Sequence, residues 1–142
     1  MEPLQTALIV DDEKPIRYIL TVCLEAMVYE CVDVSSGHAA LEQLARRKFQ
    51  LVVLDVKMPG ISGFEVMKQL RASYPDTCVV IISALQHPDV AAHSITSLGA
   101  DAFIAKPWRN EELQASIRVA VQRRQRRRGS RNAGAGPAAA LG

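Results

Sequence analysis

Three short runs in this sequence contain only apolar residues, and they restrict the possible folds more than any other feature. They are residues 7–10, 51–54 and 79–82. A strand with one face in water alternates apolar and polar residues. A strand covered on both faces is apolar throughout, and such strands occur mainly in parallel sheets. The runs therefore predict a parallel β-sheet with helices packed on both faces.

Five strands are predicted to alternate with five helices. The strands are residues 6–10, 30–34, 51–54, 78–82 and 102–105. Apolar side chains recur at helical spacing over residues 16–27, 41–45, 64–70 and 113–121, with Ser36 and Ser62 as N-caps of the second and third helices. A fourth helix over residues 88–98 has only a thin apolar face. This order predicts an α/β three-layer sandwich around a five-stranded parallel sheet.

Charge is distributed unevenly along the 142 residues. The formal net charge is +2, but residues 1–122 hold all 15 acidic residues and 11 of the 17 Lys and Arg, a net charge of −4. Six arginines follow within residues 123–131, and then a segment rich in Gly and Ala. We therefore predict a folded domain over residues 1–124 and a disordered basic, then Gly/Ala-rich, tail or linker over residues 125–142.

The arginine run raises the question of nucleic-acid binding, because arginines contact phosphates. The run has no interleaved aromatic residues, and the chain has no recognisable DNA-binding fold. We therefore interpret the run as a solvated extension of the last helix and do not expect this domain alone to bind nucleic acid.

The cysteines and the N-terminus predict a cytoplasmic location. Cys23, Cys31 and Cys78 lie among apolar neighbours without metal-binding spacing, so we expect buried thiols in a reducing compartment. The N-terminus lacks a basic segment followed by an apolar run, so we expect no signal peptide. No apolar stretch approaches the ~20 residues of a membrane span, so we expect no association with a membrane.

Polar side chains follow the predicted strands at their carboxyl ends. Asp11 and Asp12 follow the first strand, Asp55 the third, Ser83 the fourth and Lys106 the fifth. Parallel strands bring these ends to one edge of the sheet. Neighbouring carboxylates repel unless a cation lies between them, and Mg²⁺ prefers such oxygen ligands. A carboxylate can also accept a phosphoryl group, with lysine and serine contacting its oxygens. The set predicts a magnesium-dependent phosphoryl-transfer site.

Four motifs containing these residues resemble one family. They are Val-Asp-Asp-Glu at 10–13, Leu-Asp-Val-Lys-Met-Pro-Gly-Ile-Ser-Gly at 54–63, Ile-Ile-Ser-Ala at 81–84 and Gly-Ala-Asp-Ala-Phe-Ile-Ala-Lys-Pro at 99–107. In this order and spacing they resemble the response-regulator receiver domain of two-component signalling, in its chemotaxis-regulator-like form. The resemblance covers about residues 5–124 and implies a flavodoxin-like (βα)5 fold.

The resemblance implies a role for each acidic residue of the site. Asp55 resembles the phosphoacceptor. Asp12 resembles the direct ligand of Mg²⁺, and Asp11 a ligand that acts through water. The backbone carbonyl of Lys57 would complete the metal site.

Further roles are implied for the fourth and fifth strands. Lys106 resembles the lysine that contacts the phosphoryl group, and the peptide bond before Pro107 is expected to be cis. Ser83 resembles the switch hydroxyl, and Phe103 the aromatic residue that changes rotamer with it. Lys57 and Leu85 occupy positions that vary in the family and tune dephosphorylation, and Trp108 stands where phenylalanine is more usual.

The implied function is a signalling switch. A sensor histidine kinase or a phosphotransfer protein would donate the phosphoryl group to Asp55, and a downstream effector would bind the face formed by the fourth helix, fifth strand and fifth helix. Such a domain promotes only its own phosphorylation and dephosphorylation and is not an enzyme. A receiver-like scaffold, regulated by protein binding without phosphorylation, is the alternative. The intact set of acidic residues, acceptor and lysine argues against that alternative.

Two enzyme or cofactor-binding classes of similar architecture fit less well. A haloacid-dehalogenase-type phosphatase would carry a second acid two residues after its nucleophile, and that position is Lys57. A flavodoxin would carry a loop rich in Ser, Thr and Gly after the first strand. This chain has Asp-Asp-Glu there.

Overall fold

Strands and helices alternate along the chain in the computed structural model, which describes residues 5–58, 60–84, 93 and 97–141, with residues 128 and 130–141 described by backbone alone. The elements are β1 (Gln5–Val10), α1 (Lys14–Ala26), β2 (Tyr29–Val34), α2 (Gly37–Arg46), β3 (Leu51–Asp55), α3 (Gly63–Ser73), β4 (Cys78–Ser83), β5 (Ala102–Ala105) and a C-terminal helix (Asn110–Leu141). The fourth helix predicted over residues 88–98 lies mostly outside the described residues, as does Leu85.

The five strands form one sheet in the order β2-β1-β3-β4-β5. Every neighbouring pair is parallel. This is the flavodoxin-like strand order, in which the order of strand addition reverses between β1 and β3 and leaves a crevice at their carboxyl ends. The predicted fold class is confirmed.

Each predicted strand is present, and each bound differs from the prediction by no more than one residue. The differences matter at two carboxyl ends, because β3 extends to Asp55 and β4 to Ser83. Both residues were predicted to follow their strands. Their backbones are instead held in the sheet, where Asp55 is in register with Ile82 and Ser83 with Ala105.

Two apolar layers cover the sheet, one on each face. On one face, strand side chains such as Ile9, Val53 and Val80 pack against buried residues of α1 and the C-terminal helix, which are Leu20, Cys23, Leu24, Leu113, Ile117 and Ala120. On the other, Leu8, Val52 and Ile81 pack against buried residues of α2 and α3, which are Ala40, Leu44, Val66, Met67 and Leu70. Because both faces are covered, β1, β3 and β4 contain the continuous apolar runs of the sequence.

The predicted caps of α2 and α3 are confirmed. The Ser36 hydroxyl accepts a hydrogen bond from the backbone N–H of Ala39 at 3.1 Å, and that of Ser62 accepts one from Glu65 at 3.3 Å. Each bond satisfies a donor that the first helical turn leaves unpaired. The apolar stripe of α1 is less completely buried than predicted, because Ile19 lies at its edge and is 43% exposed.

The cysteine prediction is correct for two of the three residues. Cys23 and Cys78 are buried, whereas Cys31 is partly exposed because β2 is the edge strand of the sheet. No helix in the described part of the chain combines the length and the hydropathy needed to cross a bilayer.

The backbone of the C-terminal helix is helical to Leu141, whereas the sequence predicts a disordered tail from residue 125. Arg, Gln and Ala are good helix formers, so this composition is compatible with helical continuation despite its glycines. Val121 packs against the core and Arg124 bonds to Asp101, so the helix contacts the sheet up to that turn. The division into residues 1–124 and 125–142 stays a prediction.

Candidate functional site

Three aspartates meet at the carboxyl ends of β1 and β3. Asp11 and Asp12 follow β1, and Asp55 ends the adjacent parallel strand β3. One carboxylate oxygen from each of the three lies within 4.8 Å of the others. The structure therefore brings together the three carboxylates singled out in the sequence, at the point where the strand order reverses.

The three carboxylates differ in burial and in how they are held. Asp11 is completely buried and Asp55 is 3% exposed, whereas Asp12 is exposed. Asp11 Oδ1 accepts a hydrogen bond from the backbone N–H of Glu13 at 2.8 Å, and Asp55 Oδ1 accepts one from Lys57 at 3.0 Å. In both residues one oxygen is thus held by the following backbone, and the other contacts Lys106.

Lys106 links the two buried carboxylates. Its Nζ donates to Asp11 Oδ2 at 2.9 Å and to Asp55 Oδ2 at 3.3 Å. It also lies 3.5 Å from Glu13 Oε2, a residue to which the sequence analysis gave no role although it adjoins the aspartate pair. The peptide bond between Lys106 and Pro107 is cis, as predicted.

Burial and charge act against each other at Asp55 and Lys106. Burial raises the pKa of the Asp55 carboxyl above its usual range, although the Lys57 N–H and the Lys106 charge oppose the shift. Burial alone would lower the pKa of Lys106, but its contacts with Asp11 and Asp55 outweigh that effect, and its pKa is raised. The ammonium therefore stays charged beside a carboxylate whose ionised form needs nearby positive charge.

The donor atoms fit a hard divalent cation. Mg²⁺ takes carboxylate oxygens at near-octahedral geometry and keeps several waters. The residues that would hold it are Asp11, Asp12 and Asp55, whose oxygens already converge. The fourth predicted ligand is the backbone carbonyl of Lys57, the residue whose N–H donates a hydrogen bond to Asp55 Oδ1. The assignment of these four residues as ligands stays a prediction.

Gly63, the first residue of α3, permits the close packing behind Asp55. A Cβ at this position would lie 2.4 Å from the backbone oxygen of Asp55 and from Cα of Val56. The Gly63 N–H also donates to the Val56 carbonyl at 3.2 Å. Any side chain here would displace the end of β3, so the glycine helps to fix the position of Asp55.

The two predicted switch residues lie on β4 and β5. Ser83 is completely buried at the end of β4, and its backbone carbonyl accepts a hydrogen bond from the Lys106 N–H at 2.8 Å. Phe103 is half-buried on β5, where its backbone pairs with Ile81 and its ring packs against the layer formed by α2 and α3. The switch roles of both residues stay predictions.

Sequence reasoning missed an ion-pair network at the opposite edge of the sheet. The side chain of Asp101 is buried and accepts hydrogen bonds from Arg71 Nη2 at 2.9 Å and from Arg124 Nη2 at 2.6 Å. It also accepts one from the backbone N–H of Val79 at 2.9 Å. We call these three charged side chains the buried arginine–aspartate network. Asp101 lies in a motif quoted above, but nothing in the sequence pairs it with Arg124.

Comparison with known proteins identifies the family to which this fold belongs. A family model described as the response regulator receiver domain matches residues 7–118. The response regulator TrrA from Thermotoga maritima, solved in complex with Mg²⁺-BeF, superposes with a TM-score of 0.74 at 31% identity, covering 82% of this chain and 99% of that one. A CheY-like receiver domain protein from Methanospirillum hungatei has the same fold, with a TM-score of 0.81 at 24% identity over 88% of this chain and 99% of that one.

Curated relatives include longer regulators. The phosphate regulon transcriptional regulatory protein PhoB of Pseudomonas aeruginosa is 34% identical over 121 residues, which cover 84% of this chain and 52% of PhoB. The chain thus spans about half the length of the curated relatives it matches. The family match extends over most of the sheet and includes all the motifs that meet at its carboxyl edge. The chain belongs to the response regulator receiver domain family.

Proposed function

We propose that this chain is a phosphoacceptor switch in which Asp55 accepts a phosphoryl group from the phosphohistidine of a sensor histidine kinase or phosphotransfer protein. The observation that carries this proposal is the position of the Asp55 carboxylate. It is within 4.8 Å of oxygens of Asp11 and Asp12 and in contact with Lys106. This is the combination of nucleophile and positive charge that phosphoryl transfer to a carboxylate needs.

In the proposed transfer, an Asp55 oxygen forms the new bond to phosphorus as the bond from phosphorus to the donor nitrogen breaks. The released imidazole keeps the electron pair of that bond. Lys106, 3.3 Å from Asp55 Oδ2, would contact a phosphoryl oxygen, and the Lys57 N–H would orient the carboxylate. A bound Mg²⁺ would add positive charge beside the same oxygens.

The proposed response begins with the charge added at Asp55. Ser83 and Lys106 would move toward the phosphoryl group, and Phe103 would repack with them. Ser83 and Lys106 are already joined through a backbone hydrogen bond, so movement of one end of β4 would be transmitted to β5. Phosphorylation must bias two states by a few kcal/mol to act as a switch.

The proposed effector surface includes β5 and the C-terminal helix, together with the predicted fourth helix, most of which lies outside the described residues. The effector itself is either a separate protein or an output domain of the same polypeptide. The curated relatives are about twice as long as this chain, which leaves room in them for such a domain. The chain promotes only its own phosphorylation and dephosphorylation in this proposal.

An apolar groove beside Lys106 supports access by a protein donor. It has a volume of about 470 Å³ and is lined by Ile16, Ile19, Ala84, Lys106, Pro107, Trp108 and Asn110. A helix presenting a phosphohistidine could cover this groove while its imidazole reaches Asp55. The histidine of such a donor is phosphorylated with ATP, which is available in the cytoplasm. We therefore propose that the chain acts in the cytoplasm.

Labelling with acetyl phosphate and Mg²⁺ tests the proposal without a kinase. Wild type and an exposed-acid control, Glu42→Gln, are expected to gain one phosphoryl group, and Asp55→Ala none. Equal labelling of wild type and Asp55→Ala would remove Asp55 from the role. The receiver-like scaffold would be favoured if wild type stayed unlabelled while Mg²⁺ binding was intact.

A further inference from the structure

The C-terminal helix carries arginines that the phosphoacceptor site does not use. Arg118, Arg123, Arg126 and Arg127 are exposed. The last acidic residue of the chain is Glu112, so no carboxylate on this helix beyond its first turn can pair with them. Positive charge is therefore concentrated on one exposed stretch of helix, although residues 1–122 are acidic in sum.

Arg124 is an exception within this arginine run, and its contacts fix the helix. Arg124 Nε and Nη2 bond to Asp101 Oδ1 at 2.9 and 2.6 Å, and Nη1 bonds to the Pro75 carbonyl at 3.2 Å. The turn that carries Arg123 and Arg126 is thereby anchored to the domain. These arginines are presented on an ordered helical surface and not on a free tail.

The anchored turn lies at the edge of the sheet opposite the carboxylates. Pro75 precedes β4 and Asp101 precedes β5, whereas Asp11, Asp12 and Asp55 lie at the carboxyl ends of their strands. A strand of five residues is about 17 Å long. The Debye length in physiological salt is about 8 Å, so charges at the two ends of a strand are largely screened from each other. The acidic site therefore does not cancel the positive potential around the arginines.

We propose that Arg123, Arg126 and Arg127, the basic surface of the C-terminal helix, bind the phosphate backbone of duplex nucleic acid without reading its sequence. Residues 123 and 127 share one helix face and are about 6 Å apart along the axis. Guanidinium groups bind phosphate oxygens through two parallel hydrogen bonds, and each contact releases condensed counterions. The proposal stands independently of phosphorylation at Asp55.

The composition of this surface favours a nucleic acid over a membrane. Residues 122–127 are Gln-Arg-Arg-Gln-Arg-Arg and contain no apolar side chain. A helix that lies on a membrane needs an apolar face, and the apolar stripe of this helix packs into the core instead. The lack of aromatic residues, which argued above against a nucleic-acid interface, argues only against base stacking. Contacts with the phosphate backbone need none.

Fluorescence anisotropy with a labelled 20-base-pair duplex tests this surface. The full chain is compared with the triple variant Arg123→Gln/Arg126→Gln/Arg127→Gln. A control, Arg46→Gln/Lys48→Gln/Arg109→Gln, removes the same charge from exposed positions elsewhere. Glutamine keeps a good helix propensity, and circular dichroism checks that all three proteins are folded.

We expect wild type and the control to bind duplexes of unrelated sequence equally well. The triple variant should bind at least tenfold more weakly, and the slope of log K against log salt should fall by about 2 to 3 for three lost contacts. The proposal is wrong if wild type does not bind at 50 mM salt or if both variants lose the same affinity. Binding to anionic vesicles but not to the duplex would overturn it in favour of a lipid surface.

Discussion

Val28 adopts a backbone conformation that β-branched residues rarely take. It follows α1 with φ of 68°, and its N–H donates to the Glu25 carbonyl at 2.9 Å. This is the position after a helix where glycine is usual, because a Cβ in the left-handed region approaches the following carbonyl. Its side chain is 64% exposed, so little packing offsets the strain.

We therefore expect Val28→Gly to stabilise the domain by about 1 kcal/mol, since glycine removes the steric cost and loses little packing. Urea denaturation followed by circular dichroism measures the change. Val22→Gly is the matched control, because Val22 is similarly exposed but helical, and glycine there should destabilise. A Val28→Gly protein no more stable than wild type would show that the turn is not strained.

The cysteine thiols should be unreactive in the folded protein. Burial raises the pKa of Cys78 to about 12, and burial with nearby Glu25 raises that of Cys31 to about 11. At pH 8 only about one Cys31 thiol in a thousand is ionised, and thiolate is the reactive form. The native labelling rate should rise about tenfold per pH unit between 7 and 9.

Labelling with Ellman's reagent, followed by mass spectrometry, measures this reactivity at each cysteine. Cys31 should react first because it is partly exposed, and Cys78 should react only on unfolding. In urea all three should react quickly. Rapid labelling of Cys78 under native conditions would contradict its buried position.

The residues of the candidate site could be predicted because their positions follow from the sheet. Asp11, Asp55 and Lys106 each terminate or follow a predicted strand, and parallel strands end at one edge. Arg124 could not be predicted to be mostly buried, because it is one arginine in a run of six. Its burial depends on which side of the helix faces Asp101, and the charge pattern does not encode that.

The C-terminal helix is held to the rest of the fold by polar contacts as well as by its apolar stripe. The buried arginine–aspartate network joins it to α3 through Arg71 and to β4 through the Val79 N–H. Arg71 Nε also donates to the Gly99 carbonyl at 2.8 Å, which holds the segment before β5. One carboxylate thus bonds to two guanidinium groups and connects four segments.

Removal of this carboxylate should destabilise the fold strongly. We expect Asp101→Asn to cost about 3 kcal/mol, because two mostly buried arginines lose their counter-charge. Arg124→Gln should cost less, since Arg71 still neutralises Asp101. Arg123→Gln, at the exposed neighbouring position, should change stability by no more than about 0.5 kcal/mol. Chemical denaturation of the three variants measures this order, and equal stabilities would contradict the network's role.

Strands were easier to predict than helix ends for a physical reason. Continuous apolar runs identify β1, β3 and β4 because only a covered strand needs them, and Ser36 and Ser62 mark helix starts by their capping chemistry. The end of the C-terminal helix has no such mark. After Val121 the apolar stripe stops, and only propensity and the contacts of Arg124 determine where the backbone stays helical.

In the domain as a whole, three negatively charged side chains that repel one another lie together at the carboxyl edge of the sheet. Asp11, Asp12 and Asp55 lie close together, and Lys106 balances only part of their charge. Repulsion of this kind lowers stability unless a cation binds. Occupancy of the site should therefore be coupled to the stability of the whole fold.

We expect Mg²⁺ to raise the thermal midpoint, and to add about 2.7 kcal/mol of stability at a concentration one hundred times Kd. Thermal unfolding with MgCl₂, compared with NaCl at equal ionic strength, measures the effect. Asp12→Asn should fold normally, because Asp12 is exposed, but should lose most of the Mg²⁺-dependent increase. An unchanged increase in this variant would remove Asp12 from the ligand set.

The direct test of the central claim is to locate the phosphoryl group on the chain. The protein is phosphorylated with acetyl phosphate and Mg²⁺, the acyl phosphate is reduced with borohydride, and peptides are sequenced by tandem mass spectrometry. The account predicts homoserine at position 55 and at no other acidic residue, and none when EDTA replaces Mg²⁺. Homoserine at another aspartate, or unmodified Asp55 with Mg²⁺ bound, would contradict it.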